Sequence, residues 1–339
     1  MKQARMMGVK NFQVFDVEEP KVTQKGEALL KVCGTSICGS DMHPWIGESI
    51  RATYDRVPGH EFCGIIEDIC SDRTDLKPGD KVVVNPAVPC GTCEACMMGN
   101  GYICEHNEVI GGERPGAFCE KIVVPVQQLH KLPDDIDMTY AALVEPVAFA
   151  EHCTHGLYGN VLVIGLGAIG LSCAMLLHYH GCNVIGMDIN EHQLATAKEL
   201  CCDYVINSRE GDPEAKVKEI VGGRKIDFVV DAVFNEWSVN FNIKVLKKGG
   251  HMIEIGVPVN KLFPFNSIGM LCSEITMETR YLYNERDFNY AVDYVANNKI
   301  DFHPFITKVF PLEKIQEAFE WKYANPSLKV ILQANKDLQ

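Results

Sequence analysis

The sequence predicts an α/β fold in which a β-rich domain is joined to a domain built on a doubly wound parallel sheet. Residues 1 to about 36 alternate apolar and polar side chains, as strands with one buried face do. From Asn160 onward, continuous apolar runs alternate with helical segments, which is typical of parallel strands covered on both faces. A chain of 339 residues is also too long for one hydrophobic core and favours two domains.

Composition argues against several classes of partner. The formal net charge is −13 and no run of Lys or Arg interrupts it, so nucleic acid and anionic membrane surfaces are not expected partners. The N-terminus, Met1 to Arg5, leads into a polar stretch without the apolar core of a signal peptide. No apolar run reaches the roughly 20 residues of a membrane-spanning helix. We therefore expect a cytoplasmic protein.

The chain has 15 cysteines, a number that would suggest a disulfide scaffold in a short secreted protein. Here four cysteines crowd one loop, and most of the others stand singly among apolar neighbours. We interpret them as metal thiolates and buried free thiols.

The first domain is predicted to consist of antiparallel strands separated by glycine and proline turns. The strands are expected at 28–32, 62–66, 81–84 and within 111–133.

Two short glycine-flanked loops carry the ligand types of a catalytic zinc. Cys38 supplies a thiolate, and His60 and Glu61 supply an imidazole and a carboxylate directly after Gly59. Glu145 places a further carboxylate in an apolar stretch, where it needs a partner, either zinc or a salt bridge.

Three residues that follow Cys38 are candidates for the chemistry around that ion. Ser40 could hydrogen-bond a substrate hydroxyl, and His43 could pass a proton to water; a helix cap and a surface histidine are the alternatives. Asp41 could accept a hydrogen bond from the metal-binding imidazole and orient it, or it could cap a helix.

A second cysteine pattern predicts a closed metal site. The spacing Cys90-x2-Cys93-x2-Cys96-x7-Cys104 lets four thiolates surround zinc tetrahedrally, with no open position. An iron–sulfur cluster is the alternative, but the pattern lacks the bacterial ferredoxin spacing with its closing Cys-Pro.

The second domain begins with a dinucleotide-binding signature. Gly165-Leu166-Gly167-Ala168-Ile169-Gly170 follows a strand at 161–164 and opens a helix at 171–180. The next strand, at 183–187, ends in Asp188, whose carboxylate can hold the adenosine ribose hydroxyls and repel a 2′-phosphate. No Arg or Lys lies between Ile189 and Ala197, so NAD is expected rather than NADP.

The alternation of strands and helices continues to the end of this domain. Helices are expected at 193–201, 214–221 and 237–246, and strands at 204–206, 226–231, 249–256 and 275–278. We assign Ile255 and Val257 to the cofactor site. Arg280 could meet the cofactor phosphates or an anionic substrate group, or be an ordinary surface residue. Helices at 288–296 and 311–319 and a strand at 329–332 follow.

Taken together, these motifs resemble those of the zinc-dependent medium-chain dehydrogenases, in the branch of sorbitol, threonine, galactitol-phosphate and sugar-acid dehydrogenases. The run from Val84 to Cys90 and the pair Ile110-Gly111 are most similar to RspB-like and galactonate oxidoreductase sequences. The resemblance implies a GroES-like catalytic domain over 1–150 and 284–339, with a structural zinc lobe at about 88–106. It implies a Rossmann NAD-binding domain over 151–283.

The resemblance also implies the cofactors and the ligands. Cys38, His60 and a carboxylate would hold a catalytic zinc, with Glu145 at the third-ligand position and Glu61 binding directly or through water. The four clustered cysteines would hold a structural zinc. Two zinc ions, NAD, and a homodimer or homotetramer are therefore expected.

The implied reaction transfers a hydride from a secondary hydroxyl to NAD, with Ser40 and His43 carrying the proton outward. The expected substrate is a polyol or a sugar acid, with L-threonine as the alternative. Trp45, Phe118 and Arg280 are candidate lining residues, although the two aromatics could equally belong to the core. A zinc-free reductase and a catalytically silent NAD-binding regulatory protein are the competing functions.

Overall fold

The computed structural model describes residues 1–48, 53–258, 260 and 262–335. These divide into two compact units: unit 1 comprises Met1–Glu145 and Asn284–Gln339, and unit 2 comprises Pro146–Tyr283. The first division falls inside the helix Val144–Thr154, the same helix that contains the predicted boundary at 150/151. This helix continues past the division to Thr154. The change of composition at Asn160 therefore lies after the structural division.

The first part of unit 1 is dominated by strands, as predicted. They are β1 Lys2–Gly8, β2 Asn11–Asp16, β3 Glu27–Ser36, β4 Glu61–Cys70, β5 Lys81–Val84, β6 Ala87–Val88, β7 Glu108–Val109, β8 Lys121–Pro125 and β9 Leu129–Lys131. The accompanying helices are α1 Gly39–Ile46, α2 Glu94–Met97 and α3 Met138–Ala141, followed by α4 Val144–Thr154 at the division.

Unit 2 alternates strands and helices. Its strands are β10 Asn160–Ile164, β11 Asn183–Asp188, β12 Tyr204–Asn207, β13 Ile226–Asp231, β14 Leu246–Glu254 and β15 Thr276–Thr279. Its helices after α4 are α5 Ala168–Tyr179, α6 Glu191–Leu200, α7 Pro213–Ile220, α8 Glu236–Val245 and α9 Ser267–Cys272.

The chain then returns to unit 1 through α10 Glu285–Ala296, β16 Ile306–Pro311, α11 Ile315–Ala324 and β17 Lys329–Gln333. The sequence predicts a helix at 311–319, but α11 begins only at Ile315, because Leu312–Lys314 form a 3-10 turn. Neither β16 nor α9 is predicted, since both are short and lack a clear apolar period.

The strands of unit 1 pair mainly antiparallel, in the order β16-β17-β3-β4-β5-β9, with β8 also on β3. Only β16 and β17 pair in parallel among the described ladders of this sheet. Phe62, Phe118, Phe319 and Trp45 are buried in its core. The register brings Ser36, at the end of β3, opposite Glu61, at the start of β4. Both loops that carry predicted zinc ligands therefore open from the same end of one strand pair.

The strands of unit 2 form a parallel sheet in the order β12-β11-β10-β13-β14-β15. Numbered from the first strand, this is the order 3-2-1-4-5-6 of a dinucleotide-binding fold, with the reversal beside β10. The predicted doubly wound sheet is confirmed. In the described ranges, no helix has the length and apolarity needed to cross a membrane.

Candidate metal and cofactor sites

Cys38 is placed by the start of α1. It is the N-cap residue, with φ −80° and ψ 159°, and its backbone N–H donates to Asp41 Oδ2 at 3.0 Å. Asp41 is buried, and its carboxylate lies in the first turn, where the helix dipole favours negative charge. Asp41 therefore holds the backbone of a predicted zinc ligand.

His60 is placed by three glycines that pack backbone against backbone. Gly59 has φ +97°, a conformation that side chains other than glycine rarely adopt. A Cβ on Gly111 would lie 2.8 Å from the carbonyl carbon of Gly59, and one on Gly116 would lie 2.4 Å from Pro58 O. The loop that leads into His60 is clamped from one side by atoms that leave no space for a methyl group.

These two loops bring three donor atoms together. One donor atom each from Cys38, His60 and Glu61 lie within 4.8 Å of one another. Burial alone would lower the pKa of His60, but Cys38, Asp41 and Glu145 raise it well above its usual range. A divalent cation bound beside this imidazole would neutralise the negative charge of the surrounding groups.

Glu61 has a second partner that the sequence analysis missed. The Lys329 ammonium donates a hydrogen bond to Glu61 Oε1, and both side chains are fully buried. Burial opposes the charged ammonium, but Glu61 and Cys38 raise the pKa of Lys329. A lysine inside the otherwise apolar strand β17 is the sequence signal that could have revealed this pair.

The remaining oxygen of Glu61 tests whether the residues fit a metal. Glu61 Oε2 is buried and has no hydrogen-bond partner among the described residues. An unsatisfied buried carboxylate oxygen beside a thiol and an imidazole fits zinc. Glu145 is buried but does not belong to this group of close donor atoms, so its place as third ligand remains a prediction.

A second lysine lies in the same environment. Burial, followed by the Lys329 charge, lowers the pKa of Lys322 to about 8, although Glu61, Cys38 and Asp41 oppose this effect. The Lys322 ammonium donates to Leu328 O at 3.0 Å. The C-terminal segment thus supplies cationic charge to the acidic metal site.

The residues predicted to move the proton lie at the surface of unit 1. Ser40 is exposed in the first turn of α1. His43 is half-exposed, and its Nδ1 lies 3.9 Å from Glu48 Oε2. Both can reach solvent, which a proton relay requires.

Trp45 and Phe118 are core residues. Trp45 is 2% exposed and Phe118 is fully buried, and both rings pack against Phe319. Of the two alternatives for these aromatics, the structure places them in the core of unit 1. Phe118 also lies against Gly59, where a Cβ would meet its ring at 2.6 Å.

The four clustered cysteines form a compact sulfur cage. Cys93 Sγ lies 3.4 Å from Cys96 Sγ and 3.7 Å from Cys104 Sγ, and Cys90 Sγ lies 4.0 Å from Cys96 Sγ. Four thiolates bound tetrahedrally at about 2.3 Å from one zinc are about 3.8 Å apart. The cage therefore fits one structural zinc ion.

Backbone groups prepare this cage for a metal. Thr92 and Cys93 donate their N–H groups to Cys90 Sγ, and His106 donates its N–H to Cys104 Sγ. The hydrogen bonds from Thr92, followed by the one from the Cys93 N–H, lower the pKa of Cys90 to about 5. Thiolates are the form that binds zinc.

In unit 2, the glycines of the nucleotide signature have separate structural roles. Gly165 follows β10 with φ +84°, and a Cβ on Gly170 would lie 1.8 Å from Gly165 O. A Cβ on Gly167, the N-cap of α5, would meet nothing within 4 Å. The first and third glycines make the turn and the packing, while the second leaves backbone open to a pyrophosphate at the N-terminus of α5, before Ala168 and Ile169.

Asp188 joins the end of β11 to that loop. Its Oδ2 accepts the N–H of Leu166 at 2.6 Å, and its Oδ1 accepts the N–H groups of Ile189 and Asn190. The carboxylate thus lies at the carboxyl edge of the parallel sheet, where dinucleotides bind in such folds.

The other predicted cofactor residues follow the ends of later strands. Ile255 comes directly after β14, and Val257 is 75% exposed. Arg280 follows β15, and its guanidinium donates to Glu278 at 2.5 Å. Contact of Arg280 with the cofactor phosphates or with an anionic substrate group stays a prediction, beside the alternative of an ordinary surface residue.

Comparison with known proteins agrees with these features. Residues 24–134 match the model of the alcohol dehydrogenase GroES-like domain, and residues 168–297 match that of the zinc-binding dehydrogenases. D-arabitol-phosphate dehydrogenase from Enterococcus avium is 29% identical, over 97% of this chain and 96% of its own length. L-galactonate-5-dehydrogenase from Escherichia coli K12 is 32% identical, over 91% of each chain.

A similar fold is found in a crystal structure titled short chain alcohol dehydrogenase (rspB) from Escherichia coli CFT073, complexed with the cofactor NADH. The two chains are 27% identical with a TM-score of 0.91, over 98% of this chain and 99% of that one. The predicted fold class, a GroES-like domain with a Rossmann domain, is confirmed.

Proposed function

This chain belongs to the zinc-dependent medium-chain dehydrogenases, a family of NAD(P)-dependent oxidoreductases, and we propose that it oxidises a secondary hydroxyl of a polyol or sugar acid with NAD as the hydride acceptor. The observation that carries this proposal is the group formed by Cys38, His60 and Glu61. A thiolate, an imidazole and a carboxylate leave a zinc ion room for a substrate oxygen, unlike the sulfur cage.

Each residue of unit 1 has a proposed part in the reaction. Cys38, His60 and a carboxylate, either Glu61 or Glu145, would hold the catalytic zinc, which as a Lewis acid lowers the pKa of a bound hydroxyl. Asp41 positions Cys38 through its backbone N–H. Ser40 would accept the hydroxyl proton as its own proton passes to His43, and His43 would release a proton to water; both side chains are in contact with solvent.

The choice of NAD is supported by Asp188. A carboxylate at this edge of the sheet binds the adenosine ribose hydroxyls and repels a 2′-phosphate. The pyrophosphate would bind at the N-terminus of α5, above Gly167, with Gly165 and Gly170 shaping the loop.

The substrate class rests on the names of similar proteins, which act on an arabitol phosphate and on galactonate. The test is a screen of NAD reduction with hexonates, pentitols, hexitols, hexitol phosphates and L-threonine. We expect activity on a hexonate or a polyol and none in a Cys38→Ser variant. Activity on simple primary alcohols alone would overturn the substrate class, and activity that survives in Cys38→Ser would overturn the mechanism.

We also propose a homodimer or homotetramer. Strand β15 lies at the end of the sheet in the part of unit 2 that the structure describes. Three apolar side chains shortly before β15 in the sequence are more than two-thirds exposed: Leu262 at 91%, Ile268 at 70% and Leu271 at 77%. Exposed apolar side chains of this size commonly mark protein interfaces. Light scattering of the purified chain tests this, and a monomer would contradict it.

A further inference from the structure

Unit 2 contains a buried carboxylate that neither the metal sites nor the cofactor site explains. Glu151 lies in the last turns of α4, and its side chain is fully buried. The segment after α4 runs beside the one that enters β11, because Asn183 donates its N–H to Gly159 O and Cys182 Sγ contacts Leu157 O. Glu151 therefore lies near the amino ends of β10 and β11, at the opposite edge of the sheet from Asp188.

Two histidines lie beside this carboxylate, one near each of its oxygens. His155 Nδ1 lies 2.8 Å from Glu151 Oε1, and His180 Nε2 lies 3.9 Å from Oε2. The side chains of His155 and His180 are 42% and 39% exposed, whereas that of Glu151 is 1% exposed. The acid is thus at the base of a shallow site whose rim is formed by imidazoles.

The hydrogen bonds in the structure do not satisfy the acid. Oε1 accepts a hydrogen bond from His155, but Oε2 has no hydrogen-bond partner among the described residues, because 3.9 Å is too long for one. An ionised carboxylate without compensation is costly in the interior. Glu151 Oε2 therefore keeps an unsatisfied acceptor position on the side of His180.

We propose that Glu151, His155 and His180 bind a divalent transition-metal ion, zinc in the first instance. Two imidazole nitrogens and a carboxylate oxygen are a ligand set that zinc, copper and nickel accept. Ligands at about 2.0–2.1 Å from a tetrahedral ion are about 3.3 Å apart, a value between the 2.8 Å and 3.9 Å observed here. The donor atoms of the three residues do not form a group within 4.8 Å of one another in this structure, so metal binding requires the half-exposed His180 ring to move toward Glu151 Oε2.

This ion would be distinct from the two zincs of the proposed function. The Cys38 group and the cysteine cage lie in unit 1, whereas all three residues of this site lie in unit 2. With three protein ligands, the ion keeps a position for water, and it can exchange with free metal more readily than a closed cysteine site. The net charge of −13 further favours cation binding.

The test is zinc uptake by the enzyme that already carries its tightly bound zinc. Equilibrium dialysis against micromolar zinc chloride, followed by elemental analysis, should show one further equivalent in the wild type. His155→Ala/His180→Ala should weaken this uptake by at least about tenfold, by analogy with the loss of metal-site residues. His178→Ala is the matched control, because His178 is an exposed histidine two residues from His180, and it should retain uptake.

Glu151→Gln provides a second variant that removes the charge but keeps the shape, and it should also lose the further equivalent. No further uptake by the wild type would overturn the proposal. Uptake that persists in His155→Ala/His180→Ala would overturn it as well, because zinc would then bind elsewhere.

Discussion

Lys329 donates a hydrogen bond to Glu61 across 268 residues of sequence, and both side chains are shielded from solvent. The pair occupies one oxygen of Glu61 and leaves the other facing no partner in the described chain. A buried ion pair at this point ties the closing strand β17 to the loop that carries His60.

Lys329→Met tests that connection. Without its cation, the Glu61 carboxylate is buried alone, and breaking such a pair costs about 3–5 kcal/mol. We expect this loss in urea unfolding of protein stripped of its catalytic zinc, and a smaller loss after zinc is restored, because the metal would compensate the carboxylate. The double variant Glu61→Gln/Lys329→Met should regain most of the stability. Equal stability of Lys329→Met and wild type without zinc would contradict this account.

Gly116→Ala should disturb the catalytic zinc without disturbing the sulfur cage. The new Cβ would lie 2.4 Å from Pro58 O and 2.5 Å from Gly59 O, so the backbone before His60 must shift. Such overpacking costs about 1–3 kcal/mol. Elemental analysis should show the loss of about one zinc per chain, the one in the open site.

Gly8→Ala is the control for that variant, because its Cβ would meet nothing within 4 Å. It should keep both zinc ions. Full zinc content and activity in Gly116→Ala would show that the packing of Gly116 against Pro58 and Gly59 does not position His60.

Asp188→Ala should relax the preference for NAD. Removing the carboxylate removes both the ribose contacts and the repulsion of a 2′-phosphate. We expect the ratio of kcat/KM for NAD to that for NADP to fall by about tenfold or more, the effect of one lost hydrogen bond to a charged group. Asp203→Asn is the control, since this carboxylate also accepts a strand N–H, that of Val184. A wild-type enzyme that uses NADP equally well would contradict the assignment.

Glu254 predicts a dependence of stability on pH. Its carboxyl is 2% exposed, and burial followed by the neighbouring Asp231 raises its pKa to about 9. Asn242 Nδ2 donates to Asp231 at 3.0 Å and lies 3.4 Å from Glu254 Oε1. The acid is therefore protonated in the folded chain at neutral pH.

The unfolded chain ionises the same group near its usual pKa, about 4.3. The folded state thus binds the extra proton between about pH 4.3 and about pH 9, so stability falls as pH rises through that range, by up to about 1.4 kcal/mol per unit. Thermal unfolding from about pH 6 to about pH 9 should show a steeper decline in wild type than in Glu254→Gln. Glu236→Gln, at an exposed position of α8, should follow wild type. If the stability of all three proteins fell equally with rising pH, the assignment of Glu254 as protonated in the folded state would be contradicted.

Local sequence patterns predicted the parts of this molecule that depend on neighbouring residues. The apolar run before Gly165 and the acid at the end of β11 predicted the nucleotide-binding turn, because strand, turn and helix follow one another directly. The spacing of Cys90, Cys93 and Cys96 likewise places the thiolates within one short loop.

What the sequence did not reveal depends on contacts between distant segments. The pairing of Glu61 with Lys329 and that of Asp231 with Glu254 arise from strands brought together by the fold, and neither partner has a local signature beyond a charge in an apolar run. The choice between Glu61 and Glu145 has the same origin, because it depends on which oxygen the surrounding chain leaves unsatisfied.

The most direct test of the central claim, an open zinc site at Cys38 that supports hydride transfer, is zinc content measured together with NAD reduction in wild type and Cys38→Ser. The account predicts about two zinc ions per chain in the wild type and about one, without activity, in the variant. A wild-type enzyme that reduces NAD with only one zinc, or a Cys38→Ser variant that keeps two, would contradict it.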